Sequence, residues 1–164
     1  MKKTLNPKAS NLTYWEHSSE HNRHFIGTHH AMISVQYVPD KLRKIIAGYG
    51  LFEPNKAISG GEYKDFSSSI GRILMTASME VRLEKTPYLY TYEKTLCRVF
   101  LKPDGSQVYV NDVYVTEIEK FFGEKDAWYS AEDRLAALVY GKGRLGLVLP
   151  IRVNNDDLKV VRKR

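Results

Sequence analysis

The 164-residue chain holds a single cysteine, Cys97. No internal disulfide can form, so the fold has to be held by a packed core. Cys97 lies inside the apolar run Leu96–Leu101, which suits a buried, inert thiol. A reactive thiol needs an exposed, electropositive setting. The chain also lacks any stretch near the roughly 20 apolar residues that cross a bilayer as a helix. Met1–Ser10 is basic, but no apolar segment follows it. Neither a secretory signal nor a membrane partner is expected, and the expected compartment is the cytoplasm, that of a host cell for a viral protein. Internal repeats and low-complexity segments are missing too. What remains is ordinary for a globular protein: 43% hydrophobic and 27% charged residues. That composition predicts one domain over residues 1–164 with a sizeable core.

Acidic charge is scarce at the two ends of the chain. Residues 1–48 carry a net +4, residues 49–141 a net −3 and residues 142–164 a net +5. Cations gathered at the ends suit a polyanionic partner better than scattered ones do. Residues 1–13 have no periodicity and read as a flexible basic arm carrying Lys2, Lys3 and Lys8. Residues 155–164 read as a basic tail ending in Arg162, Lys163 and Arg164. A solubilising role for both ends is the plainer alternative.

The pattern of apolar residues predicts an α+β fold. Met32–Val38 reads as a strand, and Asp40 caps a short helix over 41–47. Residues 48–61 are glycine-rich and read as a long loop. Residues 75–84 alternate apolar and polar five times, the signature of a strand with one wet face. Ile70, Ile73 and Leu74 supply a short helix before it. Thr86-Pro87 is expected to break this strand, and Tyr88–Leu101 to resume it. Pro103-Asp104-Gly105-Ser106 is a strong turn. A strand follows at 107–110, a bulge or turn at Asn111-Asp112, and another strand at 113–115. The core is therefore an antiparallel β-meander over about residues 73–115. Two or three short helices are expected to pack on it. One opens at the capping box Thr116–Glu119 and stops at Gly123. Another opens at Ser130–Asp133 and carries Leu135, Leu138 and Val139 to Gly141. Leu145–Val153, with Pro150 inside, completes the fold as a C-terminal edge strand.

Five features hold candidate chemistry. His17, His21, His24, His29 and His30 fall within fourteen residues. On a helix, His17, His21 and His24 would share one face and could hold a divalent metal. Against this, Ser18, Ser19, Asn22 and Gly27 make poor helix, and solvated surface histidines are the alternative. Asp40 followed by Glu62-Tyr63-Lys64 loosely matches a metal-dependent nuclease pattern of two carboxylates and a lysine. No strand signal accompanies the second part. Gly141-Lys142-Gly143-Arg144-Leu145-Gly146 is a literal G-x-G-x-x-G. A dinucleotide site needs a strand before it and a helix after it; here the expected order is the reverse, so that reading is rejected. Lys142 and Arg144 still suit a phosphate. Tyr88, Tyr90 and Tyr92 alternate, so their rings share one strand face. That face is either a stacking platform for unpaired bases or core packing. Finally, four of the last six residues are cations.

Taken together, the leading expectation is a small non-catalytic accessory protein that binds nucleic acid or a nucleoprotein complex. Lys2, Lys3, Lys8, Lys142, Arg144, Arg162, Lys163 and Arg164 would meet phosphates, and Tyr88, Tyr90 and Tyr92 would stack. A protein-binding inhibitor or scaffold, of the phage or mobile-element accessory type, is the first alternative. A metal-dependent hydrolase or nuclease using the His17–His30 cluster is the second. No cofactor is expected beyond that divalent metal.

Overall fold

A computed structural model describes residues 14–28, 30–38, 40, 56–59, 62–65, 70–131 and 136–163. The arm at 1–13, the helix expected at 41–47 and most of the loop expected at 48–61 lie outside these residues.

The described chain is mostly antiparallel sheet. The N-terminal part supplies β1 (Tyr14–Ser18), β2 (Arg23–Gly27), β3 (Ala31–Val35), β4 (Lys56–Ser59) and β5 (Glu62–Asp65). Helix α1 (Ile70–Thr76) follows, then the meander β6 (Val81–Tyr92), β7 (Thr95–Leu101) and β8 (Gln107–Asn111). Helix α2 (Asp112–Phe122) leads to β9 (Ala127–Ser130), β10 (Ala137–Tyr140), β11 (Gly146–Val148) and β12 (Lys159–Lys163). The strand order is β5-β4-β1-β2-β3-β11-β10-β9-β6-β7-β8, with β12 pairing β6 beside this path. Among the described residues no helix is long and apolar enough to cross a membrane.

Helices α1 and α2 cover opposite faces of the sheet. Leu74 of α1 packs with Phe25, Met32, Ala137, Val139 and Leu147. Tyr114, Val115 and Ile118 of α2 pack with Phe100, Val110, Leu138 and Tyr140. Ala137–Tyr140 is therefore buried on both sides, one alternate pair of residues to each cluster. This corrects the helix expected from Ser130 to Gly141. A strand covered on both faces reads as a continuous apolar run and loses its period of two.

Other boundaries move for local reasons. The alternation at 75–84 straddles two elements, since residues 70–76 are helical and β6 begins at Val81. Thr86-Pro87 does not end the strand. β6 continues through it with a register shift between Lys85 and Leu89, and the Thr86 hydroxyl donates to the Val99 carbonyl at 2.9 Å. An exposed proline without an N–H fits such an irregularity. Asn111 is an N-cap, its side chain accepting from the Val113 N–H at 3.0 Å. Residues 113–115 are thus helix, not strand, and Thr116 lies inside it. Gly123 ends the helix as expected, at φ 67°. β11 is a central strand between β3 and β10, and Pro150 lies beyond it. Residues 56–59 and 62–65, expected as loop or without strand signal, pair as β4 and β5.

Candidate nucleic-acid interface

The C-terminal basic segment is a paired strand. β12 runs antiparallel to β6, with Lys159 opposite Thr91, Val160 opposite Tyr90, Arg162 opposite Leu89 and Lys163 opposite Tyr88. The register shifts between Val160 and Arg162. Neighbouring strands lie about 4.8 Å apart. Two features the sequence offers separately, the tyrosine strand and the basic end, are thereby set side by side.

The three tyrosines are not equivalent. Tyr88 is 42% exposed. Tyr90 meets Tyr109 edge to face, with ring centroids 5.9 Å apart at 84°. Tyr90 and Tyr92 both pack on a small cluster of Cys97, Val99 and Tyr109, joined by Ile151, Val153 and Leu158. They are partly buried, so Tyr88 is the most exposed ring of the set. Cys97 is fully buried, and burial pushes its thiol up from the ordinary range. Arg152 and Lys159 are exposed on the segment that leads into and opens β12.

The other expected phosphate contacts are scattered. Lys2, Lys3, Lys8 and Arg164 lie outside the described residues. Lys142 is exposed in the turn between β10 and β11. The G-x-G-x-x-G segment is that turn, with strands on both sides and Gly141 at φ 73°. Arg144 caps α1: its Nη1 donates to the carbonyls of Leu74 at 3.0 Å and Ala77 at 2.6 Å. These are carbonyls that a helix C-terminus leaves without partners. Arg144→Ala is therefore expected to lower stability by about 1–3 kcal/mol. Urea unfolding measures this, and a loss under about 0.5 kcal/mol, the level of an ordinary surface change, would refute the capping role.

The histidines do not form a helical face. β1 and β2 make a hairpin in which His17 and His24 are direct cross-strand partners. Their rings stack with centroids 4.2 Å apart at 17°, and Trp15 stacks on His24 at 6.1 Å. His21 sits in the turn, its N–H donating to Ser18 Oγ at 3.4 Å and its ring 4.0 Å from Glu20. The helical face expected to gather His17, His21 and His24 is therefore not formed. Among the described residues no three His, Cys, Asp or Glu side chains gather as metal ligands. His30 and Asp40 are exposed, while Glu62 and Lys64 lie two apart on β5.

Two polar features of the centre leave little mark on the sequence. Arg98 and Asp112 form an ion pair of 2.8 Å beneath α2, with side chains only 8% and 7% exposed. The Tyr140 hydroxyl is also buried, and burial pushes its phenol well above the ordinary value. At the surface, an open groove of about 510 Å³ is lined by Arg82, Lys85, Lys102 and Lys125, with Glu84 and Asp126. Carboxylates answer two of these cations. Arg82 bonds Asp126 at 2.9 Å, and Lys85 bonds Glu119 at 2.7 Å. Lys102 lies 3.9 Å over the Tyr129 ring. Segment charge totals hide such a groove, because the carboxylates in the same stretch outnumber its cations. Comparison of the chain with protein-family models, with curated proteins and with solved structures found no match.

Proposed function

We propose that this chain is a small, non-catalytic accessory protein that binds nucleic acid, or a nucleoprotein complex, along the edge formed by β6 and β12. The observation that carries the reading is the register of β12, which sets Lys163 beside the exposed Tyr88 and Lys159 beside Thr91. Cations along a strand suit a phosphate backbone. The exposed ring of Tyr88, opposite Lys163 in this register, suits an unpaired base. Lys159 stands opposite Thr91 on the other face of the ladder, so the two cations flank the edge. The stacked histidines lend no comparable support to a hydrolase.

A salt titration of binding to mixed-sequence DNA and RNA tests the reading. Affinity should fall linearly as log Kd is plotted against log salt concentration. Lys159→Glu with Lys163→Glu should weaken binding on every sequence. On a single strand it should lower the slope by about 1.4, or about 0.7 for each phosphate left without its cation. No binding at low salt, or affinity flat across ionic strength, would reject it. A cellular partner retained through nuclease treatment would point instead to a protein-binding inhibitor or scaffold.

A further inference from the structure

The segment that leads into β12 has an unusual standing in the fold. Between Pro150 and Leu158 the chain forms no strand, and its short 3-10 turn at Asn155–Asp157 is exposed throughout. It is tied to the body by the bond from the Ile151 N–H to the Tyr109 carbonyl, at 2.7 Å, and then by the irregular β12–β6 ladder. Among its described side chains the apolar contacts are those of Ile151, Val153 and Leu158, none of them fully buried. The residues beneath it are much better packed: Cys97 is 0% and Val99 2% exposed. Few apolar contacts and solvent-exposed backbone bonds mark a unit that opens before the rest of a protein does.

We propose that residues 151–163 act as a strap that opens as one unit, uncovering the face of Cys97, Tyr90, Tyr92 and Tyr109, and that a polyanion held across β6 and β12 clamps it shut. The clamping half rests on the nucleic-acid reading above; the opening half does not. The logic is linkage. A ligand that touches β12 on one side and Tyr88 of β6 on the other meets both only when the strap is docked. It therefore draws population from the open state in proportion to its occupancy.

The protein carries its own reporter. Cys97 is the sole cysteine, and it is packed in the cluster on which the strap lies. The experiment follows labelling of Cys97 by a thiol reagent in the full chain, over a series of low urea concentrations. Labelling of the free protein should be faster than global unfolding allows and nearly independent of urea. Leu158→Ala should quicken it while leaving the global urea midpoint little changed. Labelling that tracks global unfolding in both proteins would overturn the strap, whatever the ligand. A mixed-sequence single-stranded oligonucleotide at about ten times its Kd should then slow labelling about tenfold, with the effect vanishing at high salt. An oligonucleotide that binds without slowing labelling would overturn the clamp. Failure of the oligonucleotide to bind would reject the nucleic-acid reading and the clamp together, and leave the urea result to decide the strap.

Discussion

Asp112→Ala is expected to destabilise the protein by about 3–5 kcal/mol. Arg98 enters from β7 and Asp112 from the first turn of α2, and the Arg98 Nε donates to Asp112 Oδ1 at 2.8 Å. Both side chains are more than nine-tenths buried. Removing the carboxylate strands a guanidinium that cannot lose its proton and has little water to replace the bond. The Thr86 carbonyl, 3.4 Å from Arg98 Nη1, is a weak substitute. Asp112 also lies at the N-terminus of α2, where a negative charge is favourable. A domain with about 5–15 kcal/mol in total would lose a large share of its stability. Urea unfolding measures the change, with the midpoint moving and the slope unchanged. Asp112→Asn, which keeps an oxygen in place, should cost less. Arg98→Met with Asp112→Leu should recover most of the loss, since it removes both charges rather than one. A loss below about 1 kcal/mol for Asp112→Ala would mean that water reaches Arg98 and that the pair is not sealed.

What the sequence made legible follows how local the deciding chemistry is. The Pro103–Ser106 turn was readable because proline, aspartate and glycine act within four residues, and the structure puts Gly105 at φ 81° with Asp104 accepting from Ser106. Gly123 was readable as a helix stop for the same reason. The start of α2 was not, because two capping signals compete and Asn111 wins by lying upstream of Thr116. The strand Ala137–Tyr140 was hidden because burial on both faces erases alternation. The candidate interface depends on a pairing between β6 and β12, about seventy residues apart, and no local pattern sets that register. Arg98 left one usable trace. A charged residue inside the apolar run Leu96–Leu101 needs a partner if the run is a buried strand. The partner, Asp112, is the residue that looked like part of a turn.

Gly27→Ala should be about as damaging, at about 3 kcal/mol or more. Gly27 ends β2 opposite Met32 of β3, which begins at Ala31 and runs antiparallel to it. A Cβ at Gly27 would overlap the Ala31 carbonyl oxygen and lie 2.7 Å from the Met32 Cα. These are backbone atoms, so no rotamer change relieves the contact. The Ala31 carbonyl also accepts from the Thr28 N–H at 2.8 Å, and the Thr28 hydroxyl accepts from the N–H groups of His30 and Ala31. Moving Ala31 aside would pull this small network apart. A slip in register is worse, because it would turn Met32 and Ile33, buried in opposite clusters, to the wrong faces. Gly71→Ala makes the comparison. Its Cβ would overlap the Phe25 ring, a side chain, and a small ring displacement offers some relief. Gly27→Ala should therefore be the more destabilising of the two in thermal and urea unfolding. A Gly27→Ala effect within about 0.5 kcal/mol would show that the β2–β3 reversal yields without cost, and equal losses in the two variants would show that the Phe25 ring gives way no more easily than the backbone. The effect should also spread, because β2 and β3 connect the strands β5-β4-β1 to β11 and the rest of the sheet. A broken β2–β3 pairing detaches that whole side, so amide protection should fall across β1 and β2 and not at the turn alone.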